Sequence, residues 1–275
     1  MARPIQDAIV LMGDSITSRQ DVPLSLNALL SECYRRTFDI LNRGLGAYNT
    51  RFYLPLLDQF LLRDTDSPSN SVIRPQQIRL VTIWFGANDA VLPSFLQHVP
   101  LDEYTTNLNK ILQNLTSRDS PYAVASQDGP LNIVLITPPP IYPDMMGDAD
   151  FAGQRELENT RKYSEAVLDL GKKWKAKESD GGIWRIKTVD MFDGILDLAG
   201  GKGEELIPYF TDGLHLSTLG YGVLWTKLSQ ILESDFKGRG ISPSEIEFTV
   251  PDWSMLDHSD PNSAVEKMKG PYKRV

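Results

Sequence analysis

The feature that most constrains the fold of this chain is a regular alternation of short apolar runs with longer segments of helical periodicity. The apolar runs are Ile9 to Met12, Phe38 to Leu41, Ile78 to Phe85, Leu131 to Ile136, and Trp184 to Val189. The segments of helical period are Leu24 to Arg36, Tyr53 to Leu62, Leu101 to Thr116, Gln154 to Lys177, and Thr218 to Ser234. Because the runs are apolar on both faces, the pattern predicts an α/β fold with a parallel sheet sandwiched between helices.

Polar residues follow the predicted strands at their carboxyl ends, which is where open α/β sheets bind ligands. Ser15 comes after the first strand, the Asn42 to Tyr48 loop after the second, and Asn88 after the third. Thr137-Pro138-Pro139-Pro140 follows the fourth strand, and its prolines exclude a helix there and predict a rigid wall. We therefore expect one functional site along this edge of the sheet.

Two short motifs far apart in the chain supply the side chains of a nucleophilic triad. They are Gly13-Asp14-Ser15 and Thr211-Asp212-Gly213-Leu214-His215-Leu216-Ser217. A serine hydroxyl becomes a nucleophile when a base takes its proton and a third group orients that base, and Asp212 and His215 can orient one another on a single turn. Each motif alone has another explanation, because Gly-Asp-Ser is common in turns and Asp-Gly-x-His also suits a capped loop or a pair of metal ligands.

Asn88 is a candidate donor to an oxyanion. It lies just beyond the third predicted strand, in Phe85-Gly86-Ala87-Asn88-Asp89. A neutral amide stabilises developing negative charge without a proton equilibrium of its own, and removing one such donor costs roughly 100 to 1000-fold in rate. A helix cap or an Asx-turn is the structural alternative for this residue.

The composition is that of an acidic globular chain. Its 275 residues fit one α/β domain, and 36 acidic against 28 basic side chains give a net charge of -8. This charge disfavours binding to nucleic acid or to an anionic membrane. No run approaches 18 uninterrupted apolar residues, so no membrane span is expected. The single cysteine, Cys33, lies in an apolar-patterned segment and cannot form an internal disulfide.

The chain is predicted to form one domain over residues 1–237 and a tail over residues 238–275. The residues before the first strand leave no room for a cleavable signal segment, so a cytoplasmic location is expected. The tail has little apolar periodicity, and we expect it to pack on the domain or on a partner subunit. Val250-Pro251-Asp252-Trp253 is its predicted anchor.

In this order the motifs resemble those of the SGNH or GDSL family of serine esterases, over about residues 7 to 235. The isoamyl acetate-hydrolysing esterase branch is the most similar. The blocks that carry this likeness are Leu41-Asn42-Arg43-Gly44, Tyr48-Asn49-Thr50-Arg51, Phe85 to Ala90, Thr211 to Ser217, and Pro251-Asp252-Trp253. The resemblance implies a flavodoxin-like three-layer α/β/α sandwich with a five-stranded parallel sheet, the SGNH hydrolase fold.

The resemblance also implies a role for each motif residue. Ser15 would be the nucleophile, His215 the general base and Asp212 the residue that orients it. The oxyanion hole would be formed by the Ser15 N–H, a backbone N–H of the second motif and the Asn88 side chain. The resemblance implies neither a metal nor an organic cofactor, and it implies a small-molecule ester substrate and a homodimer.

One position departs from the family pattern, which reads Asn-Arg-Gly-x-x-Gly-Tyr-x-Thr-Arg around the second motif. Aligning Tyr48 and Arg51 places Ala47 where the family has its second glycine, with Gly46 one residue early. We expect Ala47 to supply the backbone donor, with a torsion that an L-residue adopts. If the position demands a positive φ, alanine is strained there and Gly46 could take the role instead.

The function expected from the sequence is hydrolysis of short-chain acyl esters, such as acetates of small alcohols, through an acyl-enzyme. Deacetylase, thioesterase and lysophospholipase activities are alternatives on the same scaffold. A different chemistry would use Asp14, Asp212 and His215 as ligands of a divalent metal for phosphoester hydrolysis. A binding module that has lost catalysis is the remaining alternative, for which Ala47 is the sequence hint.

Overall fold

A computed structural model describes residues 6–66, 76–147, 149 and 151–268. These residues contain a five-stranded sheet of parallel strands. Its strands are β1 (Asp7–Gly13), β2 (Phe38–Gly44), β3 (Ile78–Trp84), β4 (Leu131–Ile136) and β5 (Trp184–Val189). Each strand overlaps one of the predicted apolar runs, so the prediction of an α/β fold with a parallel sheet is confirmed.

The strand order is β2-β1-β3-β4-β5, which places β1 next to the point where the order changes direction. The chain runs from β1 to β2 on one side and then crosses to β3 on the other. The register aligns Gly13 at the end of β1 with Gly44 of β2 and Trp84 of β3. The segments that leave these three strands therefore meet at one crevice beyond their carboxyl ends.

Helices cover both faces of the sheet. They are α1 (Ser15–Ser18), α2 (Leu26–Cys33), α3 (Thr50–Tyr53), α4 (Leu57–Phe60), α5 (Leu101–Thr116), α6 (Leu157–Lys175), α7 (Phe192–Ala199), α8 (Thr218–Gln230) and α9 (Ser263–Lys267). Short 3₁₀ helices lie at Leu54–Leu56, Asp64–Asp66, Ala123–Ala125, Pro143–Met145, Glu204–Tyr209 and Trp253–Met255, and a π-helical turn at Ile231–Asp235. No helix of the described ranges is long and apolar enough to cross a membrane.

Side chains of β1 divide between two buried clusters, because successive residues of a strand point to opposite faces. Ile9 and Leu11 join the cluster that includes residues of α2, α7 and α8. Val10 and Met12 join the cluster that includes residues of α3, α5 and α6. The sheet is thus the middle layer of a three-layer sandwich.

Two predicted helices are interrupted or shortened by backbone constraints. Pro55 lies inside the predicted Tyr53 to Leu62 helix, and a proline supplies no backbone N–H, so the chain forms α3, a 3₁₀ turn and α4 instead. The predicted Leu24 to Arg36 helix shortens to α2, because both of its end residues have a φ of +61°.

Other helices differ from the sequence pattern for reasons of length and packing. The helix predicted from Gln154 begins at Leu157, because the preceding residues form a loop that contacts the end of β3. The pattern did not predict α7, whose eight residues are too few for a clear helical period. Residues 67–75, which precede β3, lie outside the described residues.

The first part of the tail packs against the amino-terminal edge of the sheet. Ile241 is fully buried, and its carbonyl oxygen accepts a 2.7 Å hydrogen bond from the Tyr34 hydroxyl. Arg36 donates to the Val250 carbonyl at 2.7 Å and forms an ion pair with Asp252. Arg36 thus holds the predicted anchor through Val250 and Asp252, whereas Trp253 of this anchor is 71% exposed. Residues 269–275 lie outside the described residues, and the boundary after residue 237 stays a prediction.

Candidate active site

Ser15 begins α1 directly beyond the end of β1. Asp14 is the N-cap of this short helix, and its Oδ1 accepts a 2.9 Å hydrogen bond from the Ile16 N–H. The first N–H groups of a helix have no partner within the helix, so the Ser15 N–H can donate to a bound group. Asp14 therefore shapes the turn that presents both the Ser15 hydroxyl and its N–H.

The structure brings together the two motifs that the sequence separates by two hundred residues. Nε2 of His215 lies 2.9 Å from Ser15 Oγ, and Nδ1 of the same ring lies 2.7 Å from Asp212 Oδ2. A carboxylate only accepts, so Nδ1 carries the proton and Nε2 presents its lone pair to the hydroxyl. Arg19 donates to the Thr211 hydroxyl at 2.9 Å, which joins the two segments a second time.

The Asp212 loop is organised to orient the imidazole. Asp212 Oδ1 accepts hydrogen bonds from the N–H groups of Leu214 at 3.0 Å and His215 at 2.7 Å, leaving Oδ2 for the ring. Gly213 has a φ of +82°, and a Cβ there would lie 2.2 Å from the Tyr142 carbonyl oxygen. Only glycine fits both the torsion and the space, so this residue is required for the geometry.

Asp212 is ionised at neutral pH. Partial burial raises the pKa of its carboxyl, but the hydrogen bonds from the His215 ring and backbone outweigh this effect and bring the pKa down to about 2. A carboxylate in this position stabilises the positive charge that the imidazole gains when it takes a proton.

Asn88 connects the end of β3 to the loop that follows β2. The residue is 3% exposed, and its Nδ2 donates to the Tyr48 carbonyl at 2.9 Å. Its Oδ1 accepts a 2.9 Å hydrogen bond from Arg155 Nη2. Both partners are distant in sequence, whereas a helix cap or Asx-turn would bond to N–H groups two or three residues on.

Ala47 has a φ of +66°, so the expected ordinary torsion is wrong. A hydrogen bond from the Tyr48 N–H to the Leu45 carbonyl, 3.2 Å long, closes a turn with Gly46 and Ala47 at its centre. A positive φ at the third position alone is typical of a type II turn, in which glycine is preferred there. Gly46, one residue early, does not have a positive φ. Within the described ranges, no group accepts the Ala47 N–H.

Two buried carboxyl groups lie beside these residues. Burial raises the pKa of Asp14 to about 7 and that of Asp89 to about 6. Asp89 Oδ1 accepts hydrogen bonds from the Thr50 N–H at 3.0 Å and its hydroxyl at 2.5 Å, which ties the end of β3 to α3. Among the described residues, no group of three or more His, Cys, Asp or Glu side chains could hold a metal ion.

Sequence reasoning missed Arg155. The apolar periodicity of the sequence predicts a helix that begins at Gln154, and an arginine near the start of a helix gives no sign of a function. In the structure Arg155 is buried, and burial lowers the pKa of its guanidinium to about 10. A single sequence holds no local sign of its bond to Asn88, because 67 residues separate the two.

Comparison with known proteins identifies the family of this chain. The profile of the GDSL-like lipase/acylhydrolase family matches residues 11–223. A GDSL esterase/lipase of Arabidopsis thaliana is 32% identical over 266 residues, which cover 94% of this chain and 97% of the relative. The isoamyl acetate-hydrolyzing esterase 1 homolog of Rattus norvegicus is 31% identical over 256 residues, with coverage of 92% and 89%.

A solved structure shows the same fold. The lipase/acylhydrolase from Enterococcus faecalis superimposes with a TM-score of 0.56 at 19% sequence identity, covering 85% of this chain and 97% of the other. The family match over most of the chain and the two relatives at above 30% identity settle the family. This chain therefore belongs to the GDSL-like lipase/acylhydrolase family and is a carboxylic ester hydrolase.

Proposed function

We propose that this protein hydrolyses esters through an acyl-enzyme on Ser15, with His215 as general base and Asp212 as the group that orients it. The observation that carries the proposal is the continuous chain from Ser15 Oγ to His215 Nε2 at 2.9 Å and from His215 Nδ1 to Asp212 at 2.7 Å. These distances are within the range in which a proton transfers directly.

The reaction has two halves. His215 Nε2 takes the Ser15 proton while Oγ attacks the carbonyl carbon, and the imidazolium then gives that proton to the departing alcohol. Water next attacks the acyl-enzyme, its proton passing to His215 and then back to Ser15 Oγ as the acid leaves. In each half the carbonyl oxygen becomes an oxyanion, and the N–H groups of Ser15, Ala47 and Asn88 receive it.

Acetates and other short acyl esters of small alcohols are the proposed substrates. The rat relative, at 31% identity, bears the name of an isoamyl acetate-hydrolyzing esterase homolog. An apolar side chain borders the site, because the Phe151 ring stands edge-on to the His215 ring with centroids 6.0 Å apart. A series of p-nitrophenyl esters from acetate to decanoate tests this, and a maximum in kcat/KM at eight carbons or more would contradict it.

Two variants test the catalytic assignment. Ser15→Ala and His215→Ala should each abolish hydrolysis of p-nitrophenyl acetate, while His258→Ala, in the exposed part of the tail, should retain it. Mass spectrometry of the protein quenched during turnover should show an acyl group on the wild type and none on Ser15→Ala. Retained activity in Ser15→Ala would overturn the proposal, and an unlabelled wild type without turnover would favour a binding module.

A further inference from the structure

Arg155 is a buried cation directly bonded to the Asn88 segment. It is 4% exposed and lies two residues before α6. Its Nη2 donates to Asn88 Oδ1 at 2.9 Å, and its Nε donates to the Ala87 carbonyl at 3.0 Å. With a pKa of about 10, the guanidinium stays positively charged at neutral pH. The guanidinium thus donates hydrogen bonds to two consecutive residues just beyond β3.

This contact decides which way the Asn88 amide faces. An asparagine side chain can present either its oxygen or its nitrogen to a given neighbour, and the partners select the orientation. A guanidinium only donates, so Arg155 binds Oδ1 and turns Nδ2 away from itself. One Nδ2 hydrogen binds the Tyr48 carbonyl. Within the described ranges, the other has no acceptor and is available to a substrate oxygen.

The charge on Arg155 also acts through the amide. Among the described residues, Arg155 forms no ion pair, and the carboxylates of Asp14 and Asp212 influence it only at longer range. A positive charge hydrogen-bonded to Oδ1 draws electron density from the amide and makes its N–H groups stronger donors. In a buried site this polarisation is opposed by little solvent.

Arg155 has structural contacts as well. Its guanidinium lies 5.8 Å from the centre of the Phe151 ring, which in turn stands against His215. Removing Arg155 could therefore disturb the imidazole through Phe151 instead of through Asn88. An experiment must separate these two routes.

We infer that Arg155 is a positioning residue of the oxyanion hole, which orients the Asn88 amide toward the substrate oxygen and strengthens it as a donor. The inference rests on the proposed function, since it assumes that Asn88 receives an oxyanion. Arg155 touches neither Ser15 nor His215 by any hydrogen bond among the described residues, whereas it bonds directly to Asn88, so Asn88 is the route by which we expect it to act on the reaction.

A double-mutant cycle tests this route. We expect Asn88→Ala to lower kcat for p-nitrophenyl acetate roughly 100-fold or more, and Arg155→Met to lower it about 10 to 100-fold, with KM changed less than about twofold. In the Asn88→Ala background, Arg155→Met should cost less than about threefold, because its target is already absent. If the two losses multiply instead, Arg155 acts through the fold and the inference is wrong.

A second readout does not depend on turnover. A boronic acid accepts an electron pair from Ser15 Oγ and becomes a tetrahedral anion that resembles the oxyanion intermediate. Arg155→Met should weaken inhibition by phenylboronic acid by about the same factor as it lowers kcat, and should leave it unchanged in the Asn88→Ala background. Unchanged boronate affinity in the single variant would overturn the inference.

Matched variants control for folding and for the underlying chemistry. Arg161→Met removes an arginine of α6 that pairs with Asp193 and lies over Phe192, and it should leave kcat unchanged. If Arg155→Met does not fold, Arg155→Lys keeps the charge without the fork and enters the same cycle. If Ser15→Ala is inactive but the losses of kcat in Asn88→Ala and Arg155→Met multiply, only the role of Arg155 is refuted. If Ser15→Ala is active, both proposals are refuted.

Discussion

Gln97 donates a 2.8 Å hydrogen bond from its side-chain amide to the carbonyl oxygen of Ala47. The backbone carbonyl oxygen of Gln97 in turn accepts a 2.8 Å hydrogen bond from Asn49 Nδ2. These two bonds join the loop after Asn88 to the turn that follows β2. For alanine, a left-handed torsion costs about 1 to 2 kcal/mol, so the bonds hold the turn in a conformation that its own residue disfavours.

Replacing Ala47 with glycine should stabilise the protein. Ala47→Gly removes the clash of the Cβ at a φ of +66°, while the added flexibility of the unfolded chain offsets part of the gain. The expected net effect is an increase of up to about 1 kcal/mol in the free energy of unfolding. Urea denaturation of the two proteins measures it.

Gly46→Ala provides the control for this change. Gly46 does not have a positive φ, and a Cβ there would meet no atom within 4 Å. This variant should be as stable as the wild type or slightly more stable, because alanine restricts the unfolded chain. If Ala47→Gly proves less stable than the wild type, the strain assigned to Ala47 does not exist.

Removing the Gln97 side chain should lower catalysis. Without its bond, the Ala47 turn is less firmly held, and one hydrogen bond is worth about 0.5 to 1.5 kcal/mol, or roughly 3 to 10-fold in rate. We expect Gln97→Ala to lower kcat for p-nitrophenyl acetate by this factor. Gln113→Ala, on the exposed side of α5, should keep full activity. A wild-type kcat in Gln97→Ala would show that the bond from Gln97 does not support the oxyanion hole.

The sequence predicted the sheet and the edge on which the site lies because both depend on local pattern. Buried parallel strands are continuous apolar runs, and their carboxyl ends meet wherever the strands are neighbours. Ser15, Asp212 and His215 could be paired from the sequence because the two motifs that carry them supply the three residue types of a nucleophilic triad. Their catalytic roles stay predictions, as do the homodimer and the cytoplasmic location.

Two features of the site depend on contacts that no local pattern encodes. The torsion of Ala47 follows from the turn closed by Tyr48 and Leu45, and an alanine in the sequence gives no sign of a positive φ. Arg155 reaches Asn88 across 67 residues, through a loop that the helical period assigned to α6. Tertiary packing decides both, so a single sequence could not predict them.

The buried Asp14 carboxyl makes stability depend on pH. Burial raises its pKa from an ordinary value of 3.8 to about 7, with the charge of Asp89 adding to the effect. Between about pH 4 and pH 7 the folded protein therefore keeps a proton that the unfolded chain has lost, and the free energy of unfolding from this group falls as the pH rises.

Asp14→Asn should remove this dependence. Asparagine is neutral, and its oxygen can still accept the Ile16 N–H. We expect the variant to gain up to about 4 kcal/mol over the wild type at pH 8 and little at pH 4, measured by urea denaturation at both values. Asp197→Asn, which changes an exposed carboxylate of α7, should show no such difference. An equal gain at both pH values would contradict the raised pKa.

Asp212→Asn tests whether Asp212 determines which ring nitrogen of His215 carries the proton. The asparagine oxygen can still accept the N–H groups of Leu214 and His215, so the loop should stay folded. Its NH₂ group would then face His215 Nδ1, which forces the proton onto Nε2 and removes the lone pair that Ser15 needs. By analogy with a serine protease triad, we expect kcat to fall about 100 to 10,000-fold. Steady-state kinetics with p-nitrophenyl acetate measure this, with the exposed Asp21→Asn as control. A loss below about tenfold would show that Asp212 does not set the tautomer of His215.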